Sequence, residues 1–349
     1  MLTSGSSKKE VFPDSATSVK PLSLSAIHSG HDIAALIWWI YPSVFKAIKA
    51  RRVSLIADHF SLNGYARKTN PYLEKEKLIS FENVWSCGTS TALSVPCLFS
   101  IYNRNNYTKI KAESTENILD VLQRSGVNVL WLDNNSSSKG VAERIQYESY
   151  KTSDKNAICE TECRDEGMLL NLQQYIDDHP SSDIFIVLHQ MGNHGPAYYK
   201  RYPSEFEQFT LVCKSNQLEQ CSSEEITNAY DNALLYTDYF LSKTISFLKE
   251  RKNNFKASMM YISDHGESLG ENGFYLHGLP YLFAPDNQKH VPLLMWFSED
   301  EGSVTSANLE DNITLSEFSH DNVFHTVLGL LDVNTSIYEA NMYILNHVK

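Results

Sequence analysis

"SMMYISDHGES" (residues 258–268) begins as an apolar run of strand length and turns polar at once, into Asp264 and His265. Four other stretches share the first half of that pattern: "VSLIADH" (53–59), "VNVLWLDNN" (127–135), "DIFIVLHQMGNHG" (183–195) and "VPLLMWF" (291–297). Helical periodicity fills the intervals at 115–124, 165–177, 223–250 and 316–331. Strands that alternate with helices need crossover connections, so the sequence predicts an α/β fold with a largely parallel central sheet and helices on both faces. Ligand sites in such sheets lie beyond the carboxyl ends of the strands. The polar clusters fall there, and they are where chemistry should be sought.

The totals restrict that chemistry. A chain of 349 residues with 42% apolar and 21% charged content can bury a large core and is ordinary for a globular protein. A formal charge of −12 argues against general nucleic-acid binding, which needs a basic field. The six cysteines fall into close pairs, Cys87 with Cys97, Cys159 with Cys163 and Cys213 with Cys221. An even count in local pairs predicts three small disulfide loops and an oxidising, extracytoplasmic compartment; zinc knuckles would show CxxC spacing instead. Residues 1–30 are Ser-rich and aperiodic and read as a disordered tail. "IAALIWWIYPSVF" (33–45) is shorter than the roughly 20 residues of a spanning helix and contains Pro42. It suits either an interfacial anchor or a buried strand or helix.

"SCGTSTALSVPC" (86–97) places Thr89, Ser90 and Thr91 where an apolar run begins. One of these hydroxyls could simply cap a helix. Equally, a hydroxyl at the positive end of a helix dipole could act as a nucleophile in phosphoryl chemistry. The loop "SDHGESLGENGFYLHG" (263–278) adds His277 to Asp264 and His265, and carboxylate with imidazole is a donor set that suits zinc. "HQMGNHGP" (189–196) delivers His189 and His194 from a second strand end, and Asn135 with Lys139 in "WLDNNSSSKG" (131–140) could hold an anionic phosphate. Structural readings compete with each: a capping aspartate, solvated loop histidines, a polar turn.

Six ordered stretches, "DHFSLNGYARKTNP" (58–71), "SCGTSTALSVPCLFS" (86–100), "DNNSSSKG" (133–140), "MGNHGPAY" (191–198), "NAYDNALLYTDYFL" (228–241) and "SDHGESLGENGFYLHG", are similar to the catalytic domain of the phosphoethanolamine transferases that modify lipid A. That group includes the polymyxin (colistin) resistance enzymes and belongs to the alkaline phosphatase and sulfatase superfamily. The resemblance covers about residue 57 to the end and implies a catalytic domain at 51–349 after an atypical segment at 1–50. It implies that Thr91 is the nucleophile, that Thr91, Asp264 and His265 surround a catalytic Zn2+, and that Asn135, Lys139, His194 and His277 bind the substrate or a second zinc. Glu267 would support the metal pair, and Cys87–Cys97 would lock the helix that presents Thr91. The implied reaction moves phosphoethanolamine from phosphatidylethanolamine to a lipid A phosphate through a phospho-threonine, at the periplasmic face of the bacterial inner membrane, by a monomer. A superfamily hydrolase, a phosphodiesterase or sulfatase, is the alternative.

The chain departs from the pattern at its start. Relatives open the domain with a strand ending in Gly-Glu-Thr, whose glutamate binds zinc. Here the corresponding stretch is "RRVSLIADHF" (51–60), with Val53 in the glutamate's place, and the family's transmembrane helices are not recognisable before Ala57. A catalytically impaired relative is therefore a third reading.

Overall fold

The computed structural model describes the backbone of residues 31–39 and residues 65–250, 255–298 and 316–347. Its strands are β1 (His31–Trp39), β2 (Ile79–Phe81), β3 (Val84–Trp85), β4 (Asn128–Asp133), β5 (Gln146–Ser149), β6 (Ile184–His189), β7 (Phe255–Ser263), β8 (Ser268–Leu269), β9 (Tyr275–Leu276), β10 (Leu293–Phe297) and β11 (Phe318–Ser319). The α-helices are α1 (Thr91–Leu98), α2 (Lys109–Ser114), α3 (Ile118–Arg124), α4 (Leu172–Asp177), α5 (Ser223–Lys249) and α6 (Val323–Leu330).

Seven strands form one sheet in the order β2-β10-β7-β1-β6-β4-β5. Pairing is parallel from β5 through β7 and antiparallel where β10 joins β7 and β2 joins β10. The expected largely parallel sheet is present. Side-chain alternation sends the two sets of each strand into different cores. Val129 and Trp131 of β4, Phe185 and Val187 of β6, and Met260 and Ile262 of β7 pack with α1, α3 and α6. Leu130 and Leu132, Ile184 and Ile186, and Met259 and Tyr261 pack with α4 and α5. Two apolar faces need two helical layers, which is why these strands read as continuous hydrophobic runs.

The long helix α5 starts where its sequence says it should. Ser222 and Glu225 form a reciprocal capping box, and the buried side of the helix runs from Ile226 to Leu248. Two expected helices are shorter than their periodicity suggested. Asp165, buried, accepts hydrogen bonds from the backbone N–H groups of Met191 and Gly192, which holds 165–169 in a 3-10 turn, so α4 starts at Leu172. At 316–331 the chain first pairs Phe318 and Ser319 with Val84 and Trp85, and α6 begins only at Val323. Tertiary pairing overrides local propensity in both places.

Of the two readings of 33–45, the strand holds for residues 31–39, which lie between β6 and β7 at the centre of the sheet. The expected strand at 53–59, with Val53, and the tail at 1–30 fall outside the described residues. All three cysteine pairs form disulfides, Cys87–Cys97, Cys159–Cys163 and Cys213–Cys221, and none of the six cysteines is free.

Candidate active site

The short strand β3 leads through Ser86 and Cys87 into α1, and each hydroxyl of the Thr89–Thr91 run has its own environment. Thr89 donates to the Leu279 carbonyl at 2.5 Å. Ser90 is the N-cap by backbone conformation, yet its side chain makes no capping hydrogen bond. Thr91, the first helical residue, is 8% exposed and places its Oγ1 3.4 Å from His265 Nε2. Helix capping by a side chain therefore does not account for the three hydroxyls. Pro96, inside this eight-residue helix, removes one backbone donor, and the disulfide from Cys87 ties the last turn back to the loop before the first.

Asp264 and His265 leave the end of β7 fully buried. His265 Nδ1 donates to the Gly266 carbonyl at 3.0 Å, which leaves Nε2 to face Thr91. Both carboxylate oxygens of Asp264 are buried without a hydrogen-bond partner, and Oδ2 lies 3.6 Å from His265 Nε2. Burial pushes the Asp264 carboxyl well above the usual carboxylate range, with the neighbouring Thr91 hydroxyl opposing in part. Burial, reinforced by the adjacent His277, pushes His265 well below the usual imidazole value. A buried carboxyl that ionises reluctantly and an imidazole that resists protonation form a pair whose ionised and neutral donor forms a bound cation would favour.

The other candidates gather on the same side of the sheet. The His277 ring centroid is 4.4 Å from that of His265 and 6.0 Å from that of His194. His277 Nδ1 is 3.3 Å from Glu267 Oε2, and Glu267 is 3% exposed, with its pKa well raised by burial. Burial lowers His277 to about 4. His194 also falls to about 4, through burial first and the Arg201 guanidinium second. Asn135 donates through Nδ2 to the Gln190 carbonyl at 2.6 Å, while its Oδ1 is unpartnered. Lys139 donates to Ser136 Oγ and O at 2.7 and 2.8 Å, and burial lowers its pKa against the pull of Asp133 and Asp264.

Metal ligation is only partly assembled. Among the described residues, the one set of three His, Cys, Asp or Glu ligand atoms within 4.8 Å of one another is Cys87, Cys97 and Asp321, and its sulfurs are already bonded to each other. No third side chain of those types joins Asp264 and His265 within that distance among the described residues.

Two features escape the sequence. His189, named only as a strand-end histidine, pairs through Nδ1 with Asp133 at 2.7 Å, and Asp133 also takes the N–H groups of Asn135 and Ser137 at its other oxygen. Burial would raise Asp133, yet these bonds and the His189 interaction hold it below the usual value. The pair sets the path of the loop that carries Asn135 and Lys139. His320, in "SHDN" (319–322), is buried beside the site with nothing in its neighbours to mark it.

The sequence pattern of sulfatases matches residues 54–333. The chain belongs to the sulfatase family. Phosphatidylethanolamine transferase Mcr-1 of Escherichia coli is 48% identical over 285 residues, which is 79% of this chain and 52% of that protein. The solved lipooligosaccharide phosphoethanolamine transferase A of Neisseria meningitidis, an integral membrane protein, superposes with a TM-score of 0.81 at 37% identity and covers 92% of this chain and 58% of its own. The C-terminal periplasmic domain of phosphoethanolamine transferase EptC from Campylobacter jejuni gives 0.74 at 40% identity, over 91% of this chain and 95% of that one. The chain thus spans about half the length of the curated relatives it matches. More distant neighbours at 12–15% identity share the alkaline phosphatase and sulfatase-like fold alone. Among the described residues no helix of this sulfatase-family chain is long and apolar enough to cross a membrane.

Proposed function

We propose that residues 51–349 form the catalytic domain of a transferase that moves phosphoethanolamine from phosphatidylethanolamine to a phosphate of lipid A, as the polymyxin resistance enzymes do. The observation that carries the reading is the approach of Thr91 Oγ1 to His265 Nε2 at 3.4 Å beside a buried, undonated Asp264 carboxylate. Names of the relatives supply the substrate classes, an ethanolamine phospholipid and a lipooligosaccharide.

The donor set fits zinc, with Asp264 Oδ, His265 Nε2 and Thr91 Oγ1 as the atoms that would hold it. When bound, the ion acts as a Lewis acid and lowers the pKa of a hydroxyl beside it. Thr91 Oγ1 forms a bond to the donor phosphorus as the phosphorus–glycerol oxygen bond breaks, and the proton lost by the Thr91 hydroxyl balances the one the departing glycerol oxygen gains to give diacylglycerol. A phosphate oxygen of lipid A then forms a bond to that phosphorus as the Thr91 Oγ1–phosphorus bond breaks, and Thr91 takes back the proton the lipid A phosphate releases. His277 and His194, both held neutral, face the phosphoethanolamine group or a second zinc, Glu267 supports the metal pair, and the Asn135 amide N–H and Lys139 contact the phosphate. The site works at the periplasmic face of the inner membrane, as a monomer.

Intact-protein mass after incubation with phosphatidylethanolamine tests this: the mass of one phosphoethanolamine is gained in the parent and not in Thr91→Ala, and an adduct that persists in the variant overturns it. The lack of a third ligand beside Asp264 and His265 among the described residues favours a second reading, a weakly metallated relative. Low zinc content in the parent and restoration in Val53→Glu, which supplies the carboxylate the family has, support that second reading. Full zinc loading in the parent rejects it.

A further inference from the structure

Two loops must meet for this site to exist. One leaves β3 and carries Cys87 and then Thr91; the other leaves β7 and carries Ser263, Asp264 and His265. One buried side chain hydrogen-bonds to the backbone of both. His320, 1% exposed, accepts a hydrogen bond at Nδ1 from the Cys87 backbone N–H at 3.1 Å, and its Nε2 lies 2.9 Å from the Ser263 carbonyl, to which it donates. The two bonds together require one neutral tautomer, with Nδ1 bare and the proton on Nε2. Both ring nitrogens are thereby committed, so His320 is neither a metal ligand nor a proton carrier.

The ring is itself held from behind. Phe318 and Ser319 pair with Val84 and Trp85, the residues that lead into the Cys87 loop. The Ser319 hydroxyl accepts from the Asp321 N–H, and Asp321 Oδ1 accepts from the Arg104 N–H at 2.8 Å. Cys87, at one end of the clamp, is bonded to Cys97 in the last turn of α1. The clamped carbonyl at the other end belongs to the residue just before Asp264.

We infer that His320 is a positioning residue: its ring fixes the separation between the loop that presents Thr91 and the Asp264–His265 pair, and so tunes metal binding and the chemical step while touching neither. The consequence for catalysis rests on the function proposed above; the clamp itself rests on the two hydrogen bonds. Side chains that orient the ligands of a metal without binding it typically change affinity by about 10–100-fold when removed.

The test compares His320→Phe, which keeps a ring and loses both hydrogen bonds, with His320→Gln, whose amide can accept from Cys87 and donate to Ser263. Leu328→Ala, a cavity in the α6 core that removes neither hydrogen bond, serves as a control of comparable thermal destabilisation. Zinc affinity is measured by chelator competition on the folded proteins, and phosphoethanolamine transfer by kcat and KM. His320→Phe is expected to weaken zinc binding by about 10-fold or more and to lower kcat with KM within about two-fold, with His320→Gln within about three-fold of the parent in both. Equal zinc affinity in parent and His320→Phe, or the same loss in Leu328→Ala, overturns the inference. Should the parent bind zinc and transfer nothing, the functional reading fails while the affinity comparison still decides the clamp. Should the parent bind no zinc, hydrogen exchange decides it: peptides covering 86–91 and 260–266 must both exchange at least about 10-fold faster in His320→Phe and not in Leu328→Ala, and a change confined to one loop rejects the clamp.

Discussion

Thr91 Oγ1 stands 3.4 Å from His265 Nε2, across the gap between the first turn of α1 and the end of β7. Thr89, two residues earlier, is occupied by the Leu279 carbonyl. Modification is therefore expected at Thr91 alone. Thr91→Ser should still take up the group from donor lipid and Thr91→Ala should not, with both variants within about 1 kcal/mol of the parent in stability. Peptide mapping that places the group on Thr89 or Ser90 would contradict the geometry.

Asp264 is a buried carboxylate without donors, a poor arrangement for a protein that holds no cation. Asp264→Asn should stabilise the metal-free protein by on the order of 1–2 kcal/mol and abolish any rise in melting temperature on zinc addition. Thermal melts with and without zinc check both halves. A variant that loses stability in the absence of metal would show that another group already satisfies the carboxylate.

Gly266 follows the metal pair at a point of close backbone approach. A Cβ there would sit 1.9 Å from the Asn287 carbonyl oxygen, and the Gly266 N–H is bonded to the Gln288 carbonyl. Gly266→Ala should cost about 2–4 kcal/mol in denaturant unfolding and displace Asp264 and His265 together. A cost below about 1 kcal/mol would mean that the two loops part easily.

Burial lowers His194, His277 and His290 to about 4 and His320 to about 3, so the native state keeps all four neutral. An unfolded histidine takes its proton near 6.5. Between about pH 6.5 and 4 these four histidines bind more protons in the unfolded chain, so their contribution to stability falls as the pH falls, while Asp264, Glu267 and Asp238, raised by burial, contribute in the opposite sense. Each unit of depression is about 1.4 kcal/mol, so removing one such imidazole should flatten the acid side of the profile relative to the parent. Melting temperatures of metal-free parent and His290→Gln from pH 8 to 4.5 report it, and parallel profiles through pH 5 would refute it.

The disulfide from Cys87 to Cys97 closes a loop of sequence separation 10 around the start of α1. Replacing both cysteines by serine should cost about 3 kcal/mol and lower zinc affinity. The corresponding change at Cys159 and Cys163, which does not flank α1, should leave zinc affinity unchanged. Equal effects on zinc from the two pairs would show that the Cys87 loop has no special part in shaping the site.

Much of this arrangement is written locally. Apolar runs at 127–135, 183–195 and 258–268 are buried on both faces and so carry an unmistakable pattern, and Asp264, His265 and His194 sit just past the strands, with His277 farther along the loop after β7. The short elements were not legible. β3 and β11 have two residues each and exist because they pair with each other across the chain, Val84 with Phe318 and Trp85 with Ser319, a span close to the 233 positions that separate Cys87 from His320. The buried pair of Asp133 and His189 was hidden for a related reason: its two halves end different strands, and only their neighbourhood in the sheet brings Nδ1 to Oδ2. Periodicity records which face a residue occupies and holds no record of the partner opposite it.

The central place of β1 also bears on the order in which the molecule can be made. Ala35 pairs with Ile186 on one side and Met259 on the other, so the middle of the sheet cannot close until most of the chain has been synthesised. The disulfides impose the opposite schedule, since their cysteines are 10, 4 and 8 positions apart and can meet in a nascent segment. Covalent closure of the Thr91 loop is thus available early, whereas the strands at its base wait for partners with apolar edges uncovered. Newly made chains would pass through an interval in which the nucleophile's loop is already sealed while the sheet beneath it is still open to aggregation.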